Sequence, residues 1–250
     1  MKWLPLTGWP FFYYFCAVKR IAFHISIVVF YLLIGLSVNA QERFHPGDVV
    51  SEPYLKVFGY EHFFKITPIS ENLQALMKTY SMSQGGFPIE DLRYLRVLHR
   101  DMDGNAIVGE MVCAKTIAND LLEIFEELFQ ESYPIEKMRL IDYYDGDDEA
   151  SMLDNNSSCF NYRPITAGGR KSRHSFGMAV DINPKYNPYF KKRSFGNTVR
   201  PEGSEEYLDR NAMFPYKIVK GDLCYRLFKR HGFRWGGEWN SGKDYQHFEK

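Results

Sequence analysis

The chain has few cysteines, and this scarcity excludes two kinds of site. Four of its 250 residues are cysteines, and those beyond residue 40 are Cys113, Cys159 and Cys224. These last three are an odd number, so they cannot form a complete disulfide framework. No C-x-x-C pair is present to hold a zinc ion. One bridge, between Cys159 and Cys224, is an alternative. The favoured interpretation is that all three are small buried apolar residues.

The chain also lacks an excess of charge. Its 31 basic and 31 acidic residues give a formal net charge of zero. Without a basic field, and without a glycine-rich phosphate loop after a predicted strand, nothing predicts nucleic-acid binding. Hydrophobic residues make up 45% and charged residues 25% of the chain, as in ordinary globular proteins. The length is compatible with one medium-sized domain and a leader.

The first forty residues have the pattern of a targeting segment. Lys19 and Arg20 precede an apolar run over residues 21–38, and Val38 and Ala40 stand at the −3 and −1 positions before Gln41. A positive region, an apolar region and an A-x-A-like site are typical of a secretory signal. We therefore expect export to the periplasm or cell envelope. The alternative is an uncleaved N-terminal membrane anchor, because the apolar run approaches spanning length.

The rest of the chain divides into a lead-in over residues 41–90 and a domain over residues 91–250. Residues 92–99 alternate in polarity as in a strand. The turn residues 103–105 then lead into a second apolar run, residues 106–114. This arrangement predicts a β-hairpin.

Helical patterns occur in three places. Ser70 is a predicted N-cap for a helix over residues 71–80. Apolar residues recur at helical spacing over residues 116–129, and a further helix is predicted over residues 222–230. Residues 138–143 are predicted to form a core strand.

Two segments are predicted to be loops. Residues 145–152 are crowded with acids but miss the spacing of an EF-hand, so a solvated loop is favoured over a calcium site. Residues 183–203 begin with turn-forming Asn-Pro and are predicted to form a long loop over a cleft. Trp235 and Trp239 fit equally well in a core or in a pocket wall.

A histidine and a carboxylate stand near the two ends of the segment S-R-H-S-F-G-M-A-V-D, residues 172–181. Gly177 lets the backbone turn tightly between them. Asp181 lies between two β-branched residues, which predicts a strand, and Asn-Pro at 183–184 ends it. The prediction is a loop that carries His174 and feeds a strand that carries Asp181.

The C-terminus offers a third candidate ligand in the segment D-Y-Q-H-F, residues 244–248. Two histidines and one aspartate suit a catalytic Zn²⁺ whose fourth position is open to water. Residues three apart in a flat strand point to opposite faces, so Asp244 and His247 need a bent backbone to act together. The remaining histidines lack partners at such spacing and are predicted to be surface or structural residues: His24, His45, His62, His99 and His231.

The pattern S-x-H-x-x-G-x-A-x-D, followed by D-x-x-H-F, resembles the M15-type zinc peptidases. This group includes D-alanyl-D-alanine carboxypeptidases and L-alanyl-D-glutamate endopeptidases. The matching residues are Ser172, His174, Gly177, Ala179, Asp181, Asp244, His247 and Phe248. The resemblance implies an α+β fold, with an antiparallel sheet, helices packed on one side of it and zinc at its open face.

The same resemblance implies a role for each site residue. The implied zinc ligands are His174, Asp181 and His247. Asp244 is the implied general base. Arg163 is expected to steady the substrate carboxylate or the oxyanion with its planar fork of donors. Ser172 would donate to the substrate backbone, with a hydrogen bond inside its own loop as the equal alternative.

The resemblance implies an exported zinc metallopeptidase that hydrolyses peptide bonds in peptidoglycan stem peptides. A D-Ala-D-Ala carboxypeptidase is the preferred reaction. The alternatives are an L-Ala-D-Glu endopeptidase of the same group and a non-catalytic, zinc-containing module that binds the cell wall. The expected partner is the stem peptide, and no protein partner is implied.

Overall fold

The computed structural model describes residues 44–162 and 171–250. The chain from His45 to Lys250 clusters as one structural unit. The predicted signal or anchor at residues 1–40 lies outside the described residues. Within the two described stretches, no helix is long and apolar enough to cross a bilayer.

The largest sheet has four antiparallel strands in the order β1-β4-β3-β2. They are β1 (Val49–Val50), β2 (Lys65–Thr67), β3 (Leu92–Arg100) and β4 (Ala106–Ala114). Strands β3 and β4 pair along their whole length, which confirms the predicted hairpin. The lead-in supplies both edge strands, because β1 pairs with β4 and β2 pairs with β3.

Five α-helices lie in the described residues. They are α1 (Glu52–Phe58), α2 (Glu71–Thr79), α3 (Ala118–Gln130), α4 (Asp148–Leu153) and α5 (Leu223–Arg230). The three predicted helices are confirmed as α2, α3 and α5. Ser70 caps α2 by accepting from the Leu73 N–H at 3.3 Å, as an N-cap serine does. Helix α3 packs on β3 and buries its apolar face.

The predicted core strand over residues 138–143 is wrong. The chain forms a 3₁₀ helix at Ile141–Tyr144. Just before it, the Arg139 N–H donates to Asn156 Oδ1 at 2.7 Å, and Asn156 Nδ2 donates to the Arg139 carbonyl at 3.0 Å. A side-chain amide therefore occupies both backbone groups that a neighbouring strand would use.

The two loop predictions are wrong in part. Helix α4 occupies much of the acidic segment, because Asp147 caps it by accepting from the backbone N–H groups of Glu149 and Ala150 at 2.9 and 3.2 Å. Acids at a helix N-terminus are favoured by the helix dipole. The second segment contains a hairpin of β6 (Tyr189–Lys191) and β7 (Thr198–Arg200). With β9 (Lys243–Asp244) it forms a sheet in the order β7-β6-β9.

A third sheet carries the C-terminal end of the chain. Its strands are β5 (Ala179–Asp181), β8 (Arg234–Trp235) and β10 (His247–Glu249), in the order β5-β10-β8. Phe248 is fully buried at its centre and stacks on Phe228 of α5, with ring centroids 4.2 Å apart. The expected α+β class with antiparallel pairing is confirmed, although the strands are divided among three sheets.

The cysteines are free and buried. Cys113, Cys159 and Cys224 form no disulfide in the described residues. Burial raises the pKa of each thiol, so all three are kept as neutral thiols. The interpretation as small buried apolar residues is confirmed.

Candidate metal centre

Two histidines and an aspartate from three elements converge at one point. His174 lies in the 3₁₀ helix Arg173–Phe176, Asp181 ends β5 and His247 begins β10. The antiparallel register of β5 and β10 places His247 directly opposite Asp181. All three residues are buried.

The separations of the donor atoms fit a small divalent cation. His247 Nδ1 lies 3.0 Å from Asp181 Oδ1, and His174 Nε2 lies 3.1 Å from Asp181 Oδ2. The two ring nitrogens are 3.2 Å apart. Zinc–ligand bonds of about 2.0–2.1 Å in a tetrahedral site place neighbouring donors roughly 3.3 Å apart. In the part of the chain that the structure describes, this is the one His/Cys/Asp/Glu group suited to a metal.

Each ring has an acceptor near its other nitrogen. His174 Nδ1 lies 2.6 Å from the Cys159 carbonyl oxygen, to which it donates. His247 Nε2 lies 3.5 Å from Glu249 Oε2, and Arg234 pairs with Glu249 at 2.8 Å. Outer acceptors of this kind select the tautomer that turns the second nitrogen towards a metal. The cluster therefore already has its outer hydrogen bonds.

The electrostatics of the cluster favour a bound proton or a bound cation. Burial alone would lower the pKa of His247, but its hydrogen bonds to Asp181 and Glu249 raise that pKa to about 10. Burial would raise the pKa of Asp181, yet His174 and His247 hold it well below its usual range. A buried carboxylate thus pairs with a buried imidazolium. A cation bound here would replace that proton.

The turn that carries His174 is held by its neighbours. Gly177 has φ +62°, in the left-handed region, and a Cβ built there would lie 2.6 Å from the Ala114 backbone nitrogen. The predicted tight turn at Gly177 is confirmed. Ser172 accepts from the His174 N–H at 3.3 Å, so the hydrogen bond inside the loop is present. Ser172 also lines the cleft, and donation to a substrate stays a prediction.

The cluster opens into a cleft of about 1200 Å³, whose lining includes Asp244. Asp244 ends β9 and His247 begins β10, and these strands belong to different sheets. The expected bend between them is therefore confirmed. A Cβ at Gly236 would lie 2.6 Å from the Asp244 carbonyl oxygen, so the backbone can approach here only at a glycine. Trp239 lines the cleft, whereas Trp235 is buried in the core.

Asp147, Asp148, Glu149 and Arg200, which belong to the two segments predicted to be loops, also line the cleft. The sequence assigned no cleft position to three further lining residues: Arg173, Arg234 and Glu249. Only Glu249 carried a usable signal, because a residue two positions from His247 in a strand shares its face. Arg163 lies outside the described residues.

Residues 166–250 match a family model described as D-alanyl-D-alanine carboxypeptidase. This match supports an M15-type peptidase. The resemblance drawn from the two motifs is thereby confirmed, and the matched segment contains His174, Asp181, Asp244 and His247. No curated protein and no solved structure matches the chain. The family indicates a peptidase related to peptidoglycan.

Proposed function

We propose that the chain is an exported zinc metallopeptidase that acts on peptidoglycan stem peptides, with D-Ala-D-Ala carboxypeptidase as its reaction. One observation carries this proposal: the buried cluster of His174, Asp181 and His247 opens into a large cleft that Asp244 also lines. Two imidazoles and one carboxylate are a ligand set of catalytic zinc, in which a fourth position is left for water or substrate.

The metal would be held by His174 Nε2, His247 Nδ1 and the Asp181 carboxylate. The tautomers supported by the Cys159 carbonyl and by Glu249 leave these two nitrogens free of protons for that purpose. When bound, the ion would polarise the scissile carbonyl and lower the pKa of a water molecule towards neutrality.

Asp244 would move the proton in this reaction. Its carboxylate accepts a proton from the attacking water as the water oxygen bonds to the carbonyl carbon. When the C–N bond breaks, Asp244 gives that proton to the leaving amine and returns to its ionised form. The influence of its charge on the pKa of His247 supports a position near the cluster. Arg163 would steady the oxyanion or a substrate carboxylate, a role that rests on the resemblance alone.

A contact between two cleft walls favours a carboxypeptidase. Glu149 of α4 pairs with Arg200 of β7 at 2.9 Å, and both residues line the cleft. The Glu202 N–H also donates to Glu149. A contact of this kind between two walls would help to close one end of the cleft. A carboxypeptidase needs such an end to receive a chain terminus, whereas an endopeptidase needs a cleft open at both ends.

The reaction can be tested with a stem pentapeptide that ends in D-Ala-D-Ala. The zinc-loaded full chain should release the terminal D-Ala, detected by mass spectrometry, and a chelator should stop the release. Cuts found only at the L-Ala to D-Glu bond would replace the carboxypeptidase with the endopeptidase. Retention on purified peptidoglycan without any cleavage would favour the binding module.

Export is a separate part of the proposal, and the pattern at residues 1–40 supports it. Protein recovered from the cell envelope should begin at Gln41 if the signal is cleaved. An intact Met1 in the membrane fraction would favour the uncleaved anchor. Recovery from the cytoplasm alone would contradict export.

A further inference from the structure

Among the lysines and arginines of the described cleft lining, only Arg173 makes no side-chain hydrogen bond, ion pair or ring contact. The described lining contains one lysine and three arginines: Lys171, Arg173, Arg200 and Arg234. Lys171 donates to the Tyr162 hydroxyl, and its ammonium group lies 4.0 Å from the centre of that ring. Arg200 and Arg234 pair with Glu149 and Glu249 at 2.9 and 2.8 Å.

The Arg173 side chain is exposed to the cleft, and among the described residues it makes no hydrogen bond or ion pair. The stretch between the two described parts, residues 163–170, contains no acidic residue that would pair with it. Arg173 lines the same cleft as His247 and Glu249 and directly precedes His174 in the chain. Its guanidinium fork is therefore available to a ligand.

The backbone of Arg173 is held firmly even though its side chain is free. The Met178 N–H donates to the Arg173 carbonyl at 3.0 Å, within the turn that Gly177 docks on β4. His174, the next residue, belongs to the candidate metal cluster. An arginine whose backbone is fixed beside the reacting centre can bind a planar anion without a large loss of backbone entropy.

The other charges of the cleft limit which anion can bind and where. The acidic residues of the lining are Asp147, Asp148, Glu149, Asp181, Asp244 and Glu249. A peptide carboxylate would be repelled along the wall formed by α4, and among the described lysines and arginines of the lining only Arg173 has no side-chain contact that competes with it. The charge pattern thus orients a peptide, with its carboxylate towards Arg173 and its cationic groups towards α4.

We propose that Arg173 binds a carboxylate of the substrate and sets the preference for a peptide with a free C-terminus. This inference rests on the proposed function for its substrate class. It adds a specificity-determining residue at a variable position of the first motif, to which the resemblance assigns no role. A bidentate guanidinium–carboxylate pair combines charge with directional hydrogen bonds, and a neutral amide cannot accept from both arms in the same way.

The test compares acetyl-D-alanyl-D-alanine with its C-terminal amide, using calorimetry on the zinc-loaded full chain. Binding is measured in the Asp244→Ala background, so that turnover does not interfere. The acid should bind about ten- to a hundred-fold more tightly than the amide, the usual range for a hydrogen bond to a charged group. Adding Arg173→Ala should reduce the affinity for the acid to that for the amide, and it should leave the affinity for the amide unchanged. Arg173→Lys should restore part of the difference.

Arg226→Ala is the matched control, because Arg226 is an exposed arginine of α5 outside the cleft lining. It should keep the full preference for the acid. Zinc content and thermal midpoint show whether Arg173→Ala folds, and Arg173→Gln, which keeps most of the side chain, replaces it if it does not.

The proposal is overturned if the acid preference persists without Arg173, if the parent shows no preference, or if neither ligand binds. Hydrolysis by the chain with Asp244 intact is measured separately. If D-Ala is not released but the preference for the acid is lost with Arg173, then the proposed reaction is wrong and Arg173 still binds the carboxylate.

Discussion

His247 lies directly opposite Asp181 on neighbouring antiparallel strands, with Nδ1 and Oδ1 3.0 Å apart. The two residues are 66 positions apart in the chain. The register of β5 and β10 brings them together, and a slip of one residue would turn one of the two side chains to the other face of the sheet. The candidate metal centre is therefore built into the pairing of the C-terminal sheet, and its third member comes from the adjoining turn.

We expect His174→Ala to abolish stoichiometric zinc binding. The substitution removes one of three converging ligand atoms and leaves two donors, which hold zinc poorly in water. Metal analysis of the purified protein measures this. His231→Ala is the control, because His231 pairs with Asp120 at 3.3 Å, away from the cluster, and should leave zinc content unchanged. Equal zinc in both variants would refute the ligand assignment.

Asp244→Ala should retain zinc but lose hydrolysis by about 10²- to 10⁴-fold, the usual contribution of a positioned general base. Asp244 is not one of the three clustered residues, so its removal leaves the ligand atoms in place. Steady-state kinetics on the stem pentapeptide, together with metal analysis, separates the two effects. A variant that keeps zinc and cleaves at the wild-type rate would show that another group accepts the proton.

Glu249→Gln should weaken zinc binding by about 10- to 100-fold, as loss of an outer-shell carboxylate commonly does. Glu249 lies 3.5 Å from His247 Nε2, and its charge favours the tautomer that turns Nδ1 towards the cluster. Competition with a chromogenic chelator gives the affinity. Glu90→Gln changes an exposed acid outside the cleft lining and serves as the control. Unchanged affinity in Glu249→Gln would mean that the ring is oriented by its other contacts.

The sequence predicts the structure best where a local pattern, such as alternation or helix capping, determines it. The hairpin of β3 and β4 and the Ser70-capped helix follow from alternation and capping, and both were predicted with bounds within a residue or two. The grouping of His174 with Asp181 and His247 was expected from two motifs of known order, since periodicity alone says nothing about strands so far apart in the chain.

The predictions fail where a residue distant in the sequence determines the local structure, and where a strand is too short to show alternation. Residues 138–143 have strand-like composition, but the side chain of Asn156 takes the hydrogen bonds that a strand partner would need. The β6–β7 hairpin has three residues in each strand, too few to show alternation. The cleft position of Arg173 depends on how the turn at Gly177 docks against β4, and no spacing along the chain reports that contact.

Gly177→Ala should destabilise the protein more than Gly104→Ala. Both glycines have positive φ, +62° and +81°, so both substitutions carry the left-handed penalty of roughly 1–2 kcal/mol. A Cβ at Gly104 meets nothing within 4 Å, whereas at Gly177 it would lie 2.6 Å from the Ala114 nitrogen. Urea unfolding should show an extra loss of about 1 kcal/mol or more for Gly177→Ala, in the range of an overpacking change. Equal losses would mean that the turn does not rest on β4 as described.

Protonation of the buried His99 should lower the stability of the protein in acid. This histidine is 3% exposed, and its Nδ1 lies 2.7 Å from the Ile135 carbonyl oxygen, to which it donates. Burial lowers the pKa of His99 from 6.5 to about 4. The folded state therefore favours the neutral ring, and its advantage is complete above pH 6.5 and declines as the pH falls towards 4.

From these two pKa values the loss between pH 7 and pH 5 amounts to about 2 kcal/mol. His99→Gln keeps a side-chain donor for the Ile135 carbonyl but cannot titrate. Its stability should therefore fall by about 2 kcal/mol less than that of the wild type over the same interval. Urea unfolding of both proteins at the two pH values, with a chelator present so that metal release does not contribute, gives the double difference. His45→Gln, at an exposed position, should follow the wild type. If His99→Gln and the wild type lose the same stability, then His99 is not held neutral by burial.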